Sequence, residues 1–277
     1  KFVFYTENTN TVTGDGSYTA SSNYKRHLEQ VYNNKTGVYN INRVKTPKMY
    51  IRGAGTSENP AKVAISYFDA NNTISPVKFR YGTVANKTTI TGGITGNTAN
   101  SDSAGESNNP NTTDSSAMGY HIVASNNTNY KGGAYSAVGL TSGGIAVVAW
   151  YDASSRSLIY SYNKNPNTPV VGGAWQTNAK VIDDSYAGWY VDMTVDVNDG
   201  IHIAYYNIGK GDLKYAYLSK YDATPQVVTV ESYLSTGTNI TINTRKEGSS
   251  IVPYISYYHA ASAQTPNAVR VAWRKDF

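Results

Sequence analysis

The stretch IDDSYAGWYVD, residues 182–192, sets two adjacent carboxylates, Asp183 and Asp184, just ahead of two large rings, Trp189 and Tyr190. Carboxylates beside flat aromatics suit sugar chemistry. A ring stacks on the apolar side of a sugar, and a carboxylate pair either holds hydroxyls or supplies the acid and nucleophile of glycoside hydrolysis. Four more polar residues belong with this set. Asp69, Asp152, Asn207 and His259 each close the same short pattern of a small residue, two aromatics and a polar residue. A plainer use competes for every one of them. Asp and Asn at turns bond backbone amides two residues on and need no ligand to do so.

Other chemistries find less support. The histidines, His27, His121, His202 and His259, are scattered, with no two at ligand spacing. Cysteine is absent, which excludes disulfides and thiolate metal sites. DVNDG (196–200) resembles a calcium loop in composition but is too short, and it fits a tight turn between strands, so no cofactor is expected. No G-x-S-x-G elbow occurs, and spacing nominates no Ser-His-Asp set. The net charge of +5 is spread thinly; Lys35, Arg43, Lys45, Lys48 and Arg52 are its densest region and contain no run. That argues against a nucleic-acid partner. No apolar stretch is long enough for a membrane span.

The elements that must position these residues form a repeat. VAISYFDANNTISPVKFRYG (63–82), VVAWYDASSRSLIYSYN (147–163), IHIAYYNIGKGDLKYAY (201–217) and YISYYHAASAQTPNAVRVAWR (254–274) align as four copies of one hairpin. Equivalent positions Lys78, Ile159, Lys214 and Arg270 are separated by 81, 55 and 56 residues. A unit near 55 residues holds four short strands, the size of one propeller blade. The fold class expected is therefore an all-β propeller of four or five four-stranded blades, spanning residues 1–277 as one domain. A β-sandwich gives no reason for such a period. Aromatic pairs such as Tyr205-Tyr206 recur in every copy and point to opposite sheet faces, so most of the 25 tyrosines should fill the wedges between blades.

Between the hairpins lie segments fit for the remaining strands. KMYIRG (48–53), YSAVGL (135–140), YVDMTVD (190–196) and TNITINT (238–244) should be inner strands; GVYNINRV (37–44), GYHIVAS (119–125), AWQTNAKVI (174–182) and VVTVESYL (227–234) should be outer ones. Alternating strand direction puts the hairpin turns and the inter-blade connections on one face. Asp69, Asp152, Asp183, Asp184, Trp189, Tyr190, Asn207 and His259 should then share it. Two insertions, 6–36 and 83–118, should emerge on the other face, the first with a helix near 22–34. Lys1-Phe2-Val3-Phe4 matches a hairpin's second strand, so the chain is expected to start in mid-blade, with its last unit lacking an outer strand.

The pattern small-Tyr-Tyr-Asp/Asn, a Gly-containing turn and Leu-Lys-Tyr-Ala, clearest in VDVNDGIHIAYYNIGKGDLKYAY, resembles the degenerate propeller repeats of bacterial secreted and surface proteins. It is similar, more loosely, to sialidase-like and lectin propellers, although no S-x-D-x-G-x-x-W box is present and the turn residues diverge between copies. The resemblance implies an extracellular or cell-surface setting. With low charge and no catalytic set, the function expected is a binding or assembly module with protein partners or copies of itself. The alternative is a glycan-binding or glycan-hydrolysing propeller.

Overall fold

The computed structural model describes residues 44–54, 58–69, 77–86, 89–91, 120–124, 132–166, 178–232, 236–260 and 267–274, together with Thr56 and Trp175. These residues build four small antiparallel sheets. The first contains β1 (Val44–Arg52), β2 (Ala61–Asp69), β3 (Val77–Asn86) and β4 (Thr89–Thr91), with β5 (Tyr120–Ala124) also paired to β3. The second runs β6 (Gly132–Leu140), β7 (Ala146–Asp152), β8 (Ser157–Asn163), β9 (Lys180–Asp183). The third runs β10 (Ala187–Val195), β11 (Ile201–Asn207), β12 (Asp212–Leu218), β13 (Gln226–Glu231). The fourth holds β14 (Thr236–Glu247), β15 (Ser250–His259) and β16 (Ala268–Trp273).

Each sheet runs in chain order from an inner strand outward, and the inner strands β1, β6, β10 and β14 pack in succession. The sheets stack face to face, which makes the molecule a four-bladed β-propeller. Burial follows from that position. The second strands β7 and β11 are buried at every residue because blades cover both of their faces, whereas β13 at the rim is largely exposed. Their continuous apolar runs are what a doubly covered strand requires.

Three cores lie between the blades. Phe79 and Tyr81 meet Val138, Val148 and Trp150 between blades 1 and 2. Val147, Leu158 and Tyr160 meet Val191, Ile203 and Tyr205 between blades 2 and 3. Tyr206, Leu213 and Tyr215 meet Ile240, Ile242 and Tyr257 between blades 3 and 4. The neighbours Tyr205 and Tyr206 thus serve different interfaces, as strand alternation demands.

Several boundaries differ from the sequence reading: β1 already begins at Val44, a residue expected in the outer strand 37–44, whose other residues lie outside the described ones, and β14 runs to Glu247. Residues 83–91 are not loop where they are described: β3 continues to Asn86, and β4 folds back with Thr83 opposite Thr91 and Val84 opposite Ile90. The alternation of VKFRYGTVAN simply runs past the expected strand end. The outer strand of blade 2 is also shorter than 174–182. Trp175 leaves it to pack in the first core, 5.0 Å from Phe79, and the strand begins at Lys180. The expected mid-blade start, the helix near 22–34, the insertion 6–36, the remainder of 83–118 and His27 all lie outside the described residues.

Candidate functional site

The inner strands are bulged at one end. Thr46, Tyr135, Tyr190 and Asn239 stand at the bulge in blades 1 to 4, two residues before Lys48, Ala137, Asp192 and Thr241. Those last four lie opposite Ser66, Ala149, Ala204 and Ser256, so their register is the same in every blade. An added residue re-aims the side chains at a strand end. Here the backbone takes a left-handed turn to make it: φ is 46° at Thr46, 52° at Tyr190 and 52° at Asn239. Asn accepts that conformation readily, but a tyrosine does so at a cost of about 1–3 kcal/mol. Tyr186, four residues earlier, also has positive φ, at 65°.

Gly188 and Gly237 start the two bulges in blades 3 and 4. Their φ values are 116° and 108°, and a Cβ would lie 3.2 Å from Leu158 and 2.9 Å from Leu213 respectively. Each glycine lets the bulged strand pass tightly over the preceding blade's leucine.

The bulges of blades 2 and 3 gather an aromatic basin. The ring of Tyr135 lies 5.5 Å from Trp189 and 5.0 Å from Tyr190. Tyr151 meets Trp189 edge-on at 6.2 Å, and Tyr206 meets Tyr190 edge-on at 6.3 Å. Tyr135, Trp189 and Tyr190 are half-buried, so the rings are fixed yet reachable. Burial and the Tyr190 hydroxyl push the Tyr135 phenol up to about 12, which keeps it a neutral hydrogen-bonding group.

One step along the axis from the bulge, Lys48 Nζ of blade 1 lies 2.9 Å from Asp192 Oδ1 of blade 3. Asp192 Oδ2 accepts the backbone N–H of Ile242 at 2.9 Å, which ties in blade 4. Blade 2 has Ala137 at this level, leaving room for the pair. One carboxylate therefore joins three inner strands.

The remaining sequence-nominated residues fall into different settings. Asp152 is fully buried and accepts from the backbone N–H of Ser155 and both serine hydroxyls of its own hairpin turn. Asn207 Oδ1 caps Lys210 N at 3.0 Å. Both carry out Asx-turn chemistry. Asp183 accepts Lys214 Nζ at 2.6 Å, Tyr205 Oη at 2.8 Å and Ser185 N at 3.0 Å. Burial alone would raise the Asp183 carboxyl, but the bonds from Lys214, Ser185 and Tyr205 outweigh it and hold it below the usual carboxylate range. Asn207 joins this group through Ser185 Oγ at 2.6 Å. Asp184 is exposed beside it. His259 is buried, with Thr236 Oγ1 at 3.0 Å and Glu231 at 3.6 Å. Asp69 ends β2 opposite Val44.

Trp189 and Tyr190 are thus brought into the basin, while Asp152, Asn207 and His259 serve turns and blade contacts. Tyr135, Tyr151, Tyr206, Lys48 and Asp192 were missed. Aligning inner strands with one another, rather than hairpins, exposes Tyr135, Lys48 and Asp192 at once.

Among the described residues no group of His, Asp and Glu could hold a metal ion, and no helix is long and apolar enough to cross a membrane. A separate groove of about 380 Å³ opens at the rim between blades 3 and 4, lined by Val228, Val230, Ile255 and Trp273 among others.

No protein-family model matches the chain, and no curated protein matches it in sequence. Solved structures of similar shape include an exo-β-1,3-galactanase from Clostridium thermocellum (12% identity, TM-score 0.42, covering 88% of this chain and 49% of that one). Another is an exo-β-1,3-galactanase from Phanerochaete chrysosporium with bound β-1,3-galactotriose (8%, 0.42, covering 84% and 46%). A GH43 β-1,3-galactosidase is similar at 6% identity and a TM-score of 0.37, covering 76% and 39%. The chain spans about half the length of these structures or less.

Proposed function

We propose that this chain is a carbohydrate-binding propeller whose ligand rests on the basin of Tyr135, Trp189 and Tyr190. The observation that carries the reading is that basin itself: three half-exposed rings, with Trp189 and Tyr190 within 5.0–5.5 Å of Tyr135, held by a strained bulge at the mouth of the blades. Fixed aromatic planes bind the C–H faces of sugars with little entropy lost on association. Strain kept in a fold at exposed rings is a sign of use. An extracellular or cell-surface location suits such a ligand and belongs to the proposal.

Binding is favoured over hydrolysis by the state of the carboxylates. A glycosidase needs one carboxyl raised to act as acid. Asp183 is shifted the other way, and Asp192 is engaged by Lys48 and by Ile242 N. Assembly with protein partners or copies of itself through residues 6–36 and 83–118 rests on segments largely outside the described residues.

The test is a panel of neutral and acidic oligosaccharides titrated against the chain, read by tryptophan fluorescence and by glycan array. Saturable binding that falls at least about tenfold in Trp189→Ala, with a circular dichroism spectrum like the parent's at the assay temperature, supports the basin. Turnover of a chromogenic glycoside would move the assignment to hydrolysis, and a panel without binding would remove it.

A further inference from the structure

One turn position holds a glycine in blade 3 and an arginine in blade 2. The hairpin turns 152–157 and 207–212 match residue for residue, with Asp152 opposite Ser157 and Asn207 opposite Asp212. Arg156 and Gly211 are therefore equivalent. Both have positive φ, 56° and 77°. Both also accept a hydrogen bond from the first residue of the next blade, Ala187 N and Thr236 N, each at 3.1 Å. Glycine takes that backbone freely, whereas an arginine is strained in it. The fold asks for glycine here, and blade 2 keeps a cation.

That cation is set beside the aromatic basin. The Arg156 guanidinium lies over the Tyr186 ring, 5.2 Å from its centroid, and Tyr186 has a left-handed backbone of its own, at 65°. Tyr186 stands three residues before Trp189, and Tyr151 meets Trp189 edge-on. Burial and Tyr186 push the Tyr151 phenol up while Trp189 and Arg156 pull it down, so all three side chains surround that ring. The charge at this end of the row is unbalanced. Lys48 and Lys214 are matched by Asp192 and Asp183. Among the described residues, Arg156 has no carboxylate within ion-pair reach, and neither has Lys210 on the neighbouring turn. Asp184, exposed two residues before Tyr186, is the acid that stands against these two cations. A guanidinium stacked on a ring presents its edge N–H groups as a fork that fits a planar anion.

We propose that the ligand of the basin is an acidic oligosaccharide, with the carboxylate of a uronic acid taken by Arg156 while an adjoining sugar rests on Trp189 and Tyr190. This rests on the carbohydrate reading of the basin and adds the class of sugar. Lys210 supplies a second positive charge on the same side and attracts the anion at longer range.

Fluorescence titration with galacturonic and glucuronic acid oligosaccharides, each paired with its neutral methyl ester, tests this. The acid should bind at least about tenfold tighter than its ester at low ionic strength, the scale of a charge-assisted hydrogen bond. The gap should narrow as salt rises. R156G removes charge and strain together; it should melt close to the parent and bind acid and ester alike, at the parent's affinity for the ester. R156Q keeps the strained backbone and should lose the same preference, which separates the charge from the turn. Trp189→Ala should weaken acid and ester together and so reads the basin independently. Equal binding of acid and ester by the parent, or a preference that survives in R156G, overturns the proposal and leaves the basin standing. Tighter binding of a sulfated neutral oligosaccharide than of either uronate overturns the carboxylate. Absence of binding across the panel removes basin and proposal together.

Discussion

Asp183 at the end of β9 and Glu231 at the end of β13 occupy the same place in successive blades, and each reaches across to grip the next one. Asp183 takes the Tyr205 hydroxyl and the Lys214 ammonium; Glu231 takes the Tyr257 hydroxyl and Arg270 Nη1, the latter at 2.5 Å. Tyr205 and Tyr257 are equivalent, as are Lys214 and Arg270. The interface between blades 1 and 2 replaces this clasp with apolar packing. Trp150 and Ile159 stand where the tyrosine and the cation would be, and both lie in the core with Trp175 and Phe79.

The clasp gives the fold an acid-sensitive contribution. Against the raising effect of burial, the bonds to Asp183 leave its carboxyl lowered in the folded state. A lowered folded value means stability that is present above the unfolded value near ~4 and is lost as pH falls through the folded one. Asp196, where burial is outweighed by bonds from His202 and two backbone amides, acts in the same direction. Asp183→Asn should destabilise by about 3 kcal/mol at neutral pH, since it leaves the Lys214 charge mostly buried without its partner. Its urea midpoint should also fall less than the parent's between neutral pH and pH ~3. Parallel pH profiles for parent and variant would sink this assignment.

Tyr205 and Tyr206 separate core from clasp. Replacing either by Ala should cost about 3–5 kcal/mol, because each ring fills a blade interface. Phenylalanine should tell them apart. Tyr205→Phe removes a donor from Asp183 and should cost about 1–2 kcal/mol in urea unfolding. Tyr206→Phe should lie within about 0.5 kcal/mol of the parent.

Much of this was legible in the sequence because strand alternation is local. The two faces of Tyr205-Tyr206, the hairpin register and the repeat length follow from residues close in the chain. The clasp was half visible: Lys214 and Arg270 align, but Asp183 and Glu231 sit in short, poorly patterned outer strands. The Lys48–Asp192 pair joins residues 144 apart and depends on how bulged inner strands converge, which no hairpin alignment contains. The exposure of Val269, Val271 and Trp273 on β16 was invisible for another reason. VRVAW has the same alternation as its buried counterparts, and composition does not say whether another sheet lies upon it.

Gly188 and Gly237 test whether the bulge is a shared device. Alanine at either should destabilise by about 2–4 kcal/mol, since it combines a left-handed backbone with a contact on a buried leucine. Similar losses in thermal melts of the two variants would mark one device used twice. A neutral Gly237→Ala would mean that Leu213 yields and that the tight passage is not required.

Tyr190 decides whether the strained bulge serves the fold or the ligand. Its ring contributes contacts to Tyr135 and Tyr206, but its φ of 52° opposes the fold by about 1–3 kcal/mol. Tyr190→Gly removes ring and strain together, and Tyr190→Ala removes the ring while keeping the strain. If the tyrosine is retained for binding, the glycine variant should be at least as stable as the alanine variant, by up to about 1 kcal/mol, and close to the parent. Both should lose oligosaccharide affinity alike, at least about tenfold, because the lost stacking surface is the same. Melting curves give the first comparison and tryptophan fluorescence titration the second. A glycine variant that melts far below the parent while binding as the parent does would make Tyr190 a packing residue and leave the basin to Tyr135 and Trp189.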